Sequence, residues 1–109
     1  MNTIAVDAMG GDSAPIDIVK GAIKAKEQGV DVVLCGDKDL INPYLENYEI
    51  PVFDFPQVIS MDEDPLRAIR NKKNASIVGC MQLLRDKKVQ AVFSAGSTGA
   101  TLILSLIHI

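Results

Sequence analysis

The stretch TIAVDAMGGDSAPIDIVKGAIKAKEQGVDVVLCGD, residues 3–37, decides the fold. Its first five residues form a short, partly β-branched run that halts at a glycine pair, the pattern of a strand over 3–7. Ile16, Val19, Ala22 and Ile23 then recur at helical spacing. Ser13 is the expected N-cap, Pro15 suits the first turn, and Gly29 closes the helix. Residues 31–35 follow as a nearly unbroken apolar strand ending at Gly36 and Asp37, and such runs suit a parallel strand buried on both faces. Strand, glycine turn, helix and strand make one βαβ unit, whose crossover is right-handed.

Outward from this unit the alternation continues. Asp37 is expected to cap a second helix running to about Asn47, with Pro43 kinking or dividing it. IPVFDFPQVIS, residues 50–60, is strand-like, and Pro51 and Pro56 limit where ladder hydrogen bonds can form. DPLRAIRNKK, residues 64–73, reads as a short basic helix. Asn74 is the expected cap of a longer helix through about Asp86 that carries Ile77, Val78, Met81, Leu83 and Leu84. VQAVFSAG, residues 89–96, is the last clear strand, and GSTGA, residues 96–100, opens another helix. The order predicts one α/β domain with a mainly parallel sheet and helices on both faces. Loops at the carboxyl ends of such strands collect at one edge, so both glycine loops are expected there.

The composition fits an ordinary globular domain: 109 residues, 48% hydrophobic and 23% charged. A net charge of -3 gives no electrostatic reason to expect a nucleic-acid partner. Cys35 and Cys80 stand far apart in sequence, without CxxC spacing or a companion histidine, which suggests neither a disulfide framework nor a zinc site. A reducing, cytoplasmic setting is expected, since the N-terminus enters a strand pattern without a signal core and no apolar run reaches the roughly 20 residues that cross a bilayer.

The loops carry the chemistry. A helix N-terminus exposes unpaired N–H groups and the positive end of the helix dipole, and glycines let an anion approach them. In GSTGA the hydroxyls of Ser97 and Thr98 add donors between Gly96 and Gly99, a cradle suited to phosphate or an oxyanion; the same pattern also serves as a plain helix cap. DAMGGD is harder to read as an anion cradle alone. Its carboxylates Asp7 and Asp12 repel an anion unless paired with a cation or set to one side, and turn-stabilising roles suit them as well. The loop matches neither GxGxxG nor a Walker A sequence, which argues against dinucleotide and P-loop chemistry. Arg67, Arg70, Lys72 and Lys73 concentrate positive charge in an otherwise acidic chain, either as a solvated helix face or as a docking patch. Cys35 as a nucleophile is disfavoured, because free cysteine is usually a small buried hydrophobe; Met9 and Met61 read as packing residues.

Taken together, IAVDAMGGDSAP, MDEDPLRAIRNKKNASI and AVFSAGSTGA resemble the PlsX family of phosphate acyltransferases over residues 1 to about 103, in the family's order and spacing. Ser13 and Ser97 stand where that family often has other polar residues, and neither change removes a donor. The resemblance implies a Rossmann-like three-layer α/β/α sandwich of the isocitrate and isopropylmalate dehydrogenase-like kind, usually dimeric. It implies a cytoplasmic enzyme of phospholipid synthesis that moves a fatty acyl group from acyl-acyl carrier protein to inorganic phosphate; metal and organic cofactors are not indicated, since the sequence holds no ligand cluster. Asp7, Asp12, Ser97 and Thr98 are then the candidate catalytic residues. Gly10, Gly11, Gly96, Gly99 and Arg70 would bind phosphate or substrate, and Arg67, Lys72 and Lys73 would dock the acidic carrier protein. A non-catalytic module binding a phosphorylated ligand, and a phosphate acetyltransferase-like enzyme using acyl-CoA, remain the alternatives. Peripheral membrane association stays open.

The last six residues, LSLIHI, break the pattern. CTG-TCT-CTT-ATA-CAC-ATC encodes them, which resembles a transposase mosaic-end adaptor. Residues 1–103 are therefore expected to be the N-terminal part of an acyltransferase domain, inactive by itself, and residues 104–109 a non-native tail. His108, the single histidine, is assigned no role on this reading.

Overall fold

A computed structural model describes residues 2–12, 14–45, 47–60, 62–96 and 99–100. In chain order the elements are β1 (Thr3–Asp7), α1 (Ile16–Glu27), β2 (Asp31–Gly36), α2 (Lys38–Leu45), β3 (Val52–Asp54), α3 (Pro65–Asn71), α4 (Ser76–Arg85) and β4 (Ala91–Phe93). The four strands form one parallel sheet in the order β3-β2-β1-β4. The chain steps outward from β1 through β2 to β3, then returns to place β4 on the other side of β1. This is the α/β fold with helices on both faces that the sequence predicts.

Side-chain alternation along β1 and β2 sorts the core into layers. Val6, Val32 and Leu34 pack with Val19 and Ala22 of α1 and Ile41 and Leu45 of α2. Ala5 and Cys35 face the other way, with Cys80 and Leu83 of α4 and Val89. A third cluster, Ile59, Ala68, Ala75, Ile77, Val78, Met81 and Ala100, lies beneath the carboxyl edge and joins α3 to α4. A strand with apolar residues on both faces needs a helix layer on each side, which explains the unbroken run in β2.

Local chemistry sets most boundaries. Gly29, at φ 88°, ends α1 in a Schellman motif: Gly29 N–H donates to the Lys26 carbonyl and Val30 N–H to the Ala25 carbonyl, both at 3.0 Å. Asp37 caps α2 as expected, its Oδ1 accepting the Asp39 N–H at 3.1 Å. Pro43 does not divide α2. Its missing N–H leaves only the Asp39 carbonyl without a helical donor, and Asp39 is exposed to water. The helix is described to Leu45, and Asn47, its expected end, lies in a turn beyond it. Pro51 and Pro56 bracket the short β3 as expected.

Three expectations need correction. Pro15 occupies the N-cap position of α1 rather than its first turn, while Ser13, the residue expected there, lies outside the described residues. Ala75, not Asn74, is the N-cap of α4. Asn74 is held by Gln57 instead: its N–H donates to Gln57 Oε1 and its carbonyl accepts the Gln57 N–H, both at 3.1 Å. A parallel bridge between Gln57 and Ala75 fixes that register. β4 is also shorter than residues 89–96, because after Phe93 the chain leaves the ladder toward Asp7.

Candidate functional site

β1 and β4 are neighbours, with Val6 level with Phe93, so the loops that follow them meet at the carboxyl edge of the sheet. The meeting is backbone to backbone. A Cβ on Gly10 would lie 2.7 Å from Gly96 N and 2.8 Å from Gly96 Cα, so neither loop admits a side chain there. Gly11 adopts φ 94°, a left-handed conformation, and its missing Cβ would press on Ala95 at 3.2 Å. The two glycine motifs are thus one assembly.

Asp7 lies behind that contact, 2% exposed. Its Oδ1 accepts the Met9 N–H at 3.1 Å and the Ser76 hydroxyl, and its Oδ2 accepts the Ser94 hydroxyl at 2.8 Å. Ser94 Oγ in turn accepts the Gly96 N–H at 3.1 Å. A buried carboxylate is tolerated when its lone pairs are filled in this way. Strand β1, the start of α4 and the end of β4 therefore converge on one side chain.

In front of the loops is a cavity of about 380 Å³ lined by Met9, Gly11, Asp12, Val58, Ile59, Ser60, Asp62 and Gly96. Asp12 and Asp62 bring two carboxylates to it, so an anion entering must find backbone N–H groups, hydroxyls or a cation. Of the sequence candidates, Asp12, Gly11 and Gly96 border this cavity. Gly10 is buried beneath it, and Asp7 stands behind the loops rather than on the cavity wall. Gly99 abuts α3, where an added Cβ would meet Pro65 Cγ at 2.5 Å. Ser97 and Thr98 lie outside the described residues, as do Met61, His108 and the 104–109 tail.

The basic segment divides. Arg67, Arg70 and Lys73 are exposed, and Arg67 borders a separate pocket of about 230 Å³ with Glu63, Asp64, Asn71 and Lys72. Lys72 is engaged internally: its ammonium pairs with the Glu63 carboxylate and donates to the Val58 carbonyl at 2.8 Å. It fastens Val58 and Glu63 to the end of α3, and Val58 with Ile59, Ser60 and Asp62 forms one wall of the cavity. A larger apolar groove of about 420 Å³, lined by Ile4, Ile18, Ala22 and Phe93 among others, runs between α1 and the β4 edge, away from the glycine loops.

The cysteines are neighbours in space. Cys35 is level with Asp7 in the β1–β2 ladder, and Cys80 sits one helical turn beyond Ser76. Both are fully buried free thiols. The hydrogen bond that Cys80 shares with Cys35, then burial, then the charges of Cys35 and Asp7, push its thiol far above the ordinary value of 9.0. A thiol so held is a packing group and not a nucleophile.

Ser76 and Ser94 escaped the sequence reading, which counted the hydroxyls inside GSTGA. The available signal was position: one serine follows the last strand and the other opens α4. Among the described residues no cluster of histidine, cysteine, aspartate and glutamate suits a metal ion, and no helix is long and apolar enough to cross a membrane.

Comparison with known proteins agrees with this geometry. The family described as fatty acid synthesis protein matches residues 2–109. The phosphate acyltransferase of Gloeothece citriformis (strain PCC 7424) is 47% identical over 97% of this chain and 32% of its own length. That of Desulfitobacterium hafniense (strain Y51) is 44% identical over 98% of the chain and 33% of its own length. That of Clostridium kluyveri (strain NBRC 12016) is 46% identical over 89% and 31%. The chain spans about a third of the length of these relatives. With a parallel α/β sheet whose glycine loops meet at one edge, and similarity along nearly its whole length, the chain belongs to the fatty acid synthesis protein family, that of the PlsX-type phosphate acyltransferases.

Proposed function

We propose that the protein of which this chain is part transfers a fatty acyl group from acyl-acyl carrier protein to inorganic phosphate, forming acyl phosphate for phospholipid synthesis. The observation that carries the reading is the backbone contact of the two glycine loops beside a cavity at the carboxyl edge of a parallel sheet. Relatives named phosphate acyltransferase support it.

The reaction needs phosphate held in attack geometry, donors for the developing oxyanion, and an exit for the thiolate. A phosphate oxygen attacks the thioester carbonyl, the carbonyl electrons move onto its oxygen, and their return expels the carrier thiolate. No covalent enzyme intermediate is required. Gly99, Ser97 and Thr98 bind phosphate or the oxyanion, Gly11 lets substrate reach the backbone, Gly10 lets the two loops close on each other, and Asp12 orients a cationic partner at the cavity. Gly96 N–H already donates to Ser94, so Gly96 contributes shape more than a donor. Arg70 assists phosphate binding. Arg67 and Lys73 attract the acidic carrier protein, and Lys72, tied to Glu63, supports the cavity wall.

The enzyme is cytoplasmic and a homodimer. Residues 1–103 alone are inactive, and residues 104–109 are a non-native tail. The test is to supply the full-length protein with acyl-acyl carrier protein and phosphate and to trap acyl phosphate with hydroxylamine. Acyl hydroxamate formed only with both substrates supports the reading. Turnover with acyl-CoA but not the carrier-bound substrate moves it to a phosphate acetyltransferase-like enzyme, and phosphate binding without turnover to a binding module.

A further inference from the structure

The hydrogen bonds around Asp7 form an ordered chain: the carboxylate accepts the Ser94 hydroxyl, and Ser94 accepts the Gly96 amide. On its other oxygen Asp7 accepts Ser76 from α4 and the Met9 amide from its own loop. Every hydrogen-bond donor in this chain faces toward Asp7, so its side chain is the acceptor at which the chain ends. Charge-assisted hydrogen bonds are roughly twice as strong as neutral ones, and burial removes competition from water. Gly10 and Gly96 are in backbone contact, so a shift of Gly96 changes the spacing of the two loops.

We propose that Ser94 is a positioning residue that transmits the fixed location of Asp7 to the Gly96 loop and so sets the phosphate-binding geometry, while Ser76 holds the carboxylate from α4. Ser94 has no place on the cavity wall, and it acts through Gly96. Its hydroxyl is suited to this because it donates in one direction and accepts in the other; alanine can do neither. The kinetic part of the test rests on the acyltransferase reading, and the exchange part does not.

The experiment compares Ser94→Ala, Ser94→Thr, Ser76→Ala and Asp7→Asn in the full-length protein. Ser94→Ala is expected to raise the KM for inorganic phosphate roughly tenfold, the effect of losing about one such bond, with the KM for the acyl donor within twofold. Ser94→Thr keeps the hydroxyl and restores the phosphate KM. Ser76→Ala leaves the Ser94 link intact and raises the phosphate KM less than Ser94→Ala. Asp7→Asn with Ser94→Ala is no worse than the poorer single variant, because both break one chain. In parallel, amide hydrogen exchange at Gly96 is expected to accelerate at least tenfold in Ser94→Ala and to return toward wild type in Ser94→Thr.

An unchanged phosphate KM, equal losses for both substrates that threonine does not rescue, or additive double-variant effects would overturn the proposal. Unchanged Gly96 exchange overturns it as well, and that readout stands even where the wild type makes no acyl phosphate, a result that removes the functional reading alone. Where Ser94→Ala does not fold, Ser94→Thr and Ser94→Cys decide. Threonine with wild-type phosphate KM and cysteine with a raised one support the relay, and no difference between them refutes it.

Discussion

Replacing Gly10 by alanine tests the loop contact directly. The Gly10 φ is not in the left-handed region, so alanine meets no backbone penalty there, and the cost comes from contact alone. The added Cβ would stand 2.7 Å from Gly96 N and 2.8 Å from both Gly96 Cα and Asp7 Oδ2. Carbon–carbon contacts are optimal at roughly 3.5–4.0 Å, so the Gly96 backbone must retreat by about 1 Å. That retreat breaks the 3.1 Å bond from Gly96 N–H to Ser94 Oγ. Overpacking costs about 1–3 kcal/mol and the lost bond about 1 kcal/mol, against about 0.5–1 kcal/mol recovered from a stiffer unfolded chain. The net loss is about 1–3.5 kcal/mol, which lowers the urea midpoint by roughly 0.5–2 M at ordinary m-values. Gly21→Ala is the control: Gly21 lies inside α1 with nothing within 4 Å of a built Cβ, and alanine there stabilises by about 0.5–1 kcal/mol. Urea unfolding followed by far-UV circular dichroism measures both. A Gly10→Ala midpoint at or above wild type would refute the loop contact, whatever Gly21→Ala does.

Other outcomes follow from single features. Gly29→Ala places a Cβ on a residue at φ 88° in open space, so only backbone strain is added, and urea unfolding should register a loss of roughly 1 kcal/mol. Lys72→Ala unties the cavity wall and should cost up to about 1 kcal/mol at low salt, more than Lys73→Ala, with the gap narrowing as salt is raised. Cys80 should resist a thiol reagent at pH 8 in the native protein and react once unfolded. Its raised thiol also predicts a pH effect. The folded state keeps a proton that the unfolded chain releases above the ordinary value of 9.0, so the contribution is complete below that pH and declines above it. The slope is about 1.4 kcal/mol per pH unit, and Cys80→Ala should abolish that share of the alkaline decline.

What could be read from the sequence was chemistry that acts over a few residues. The apolar run of β2, the stop at Gly29 and the Asp37 cap all depend on neighbours in the chain, and they appear as expected. Asn74 was misjudged because its partner Gln57 is 17 positions away and no local rule gives preference to a bridge over a cap. The glycine loops were visible as two motifs at one sheet edge, while their direct contact depends on the strand order. Asp7 was visible as a carboxylate closing a strand. Its partners were not, since Ser76 and Ser94 lie 69 and 87 positions away, and no spacing rule operates over that distance.

The strand order also bears on how the site comes into being during synthesis. The oldest strand, β1, is paired with the last described one, β4, so Asp7 cannot meet Ser94 until most of these residues have been made. Closing a loop of 87 residues has a length-dependent entropic cost of about 4 kcal/mol, which must be met before that contact contributes anything. On a ribosome adding roughly 5–20 residues per second, β1, α1 and β2 are free to pair while the site is still half absent. A nascent chain halted before Ser94 holds one glycine loop and no partner for it, and completion of the edge is a late, all-at-once event.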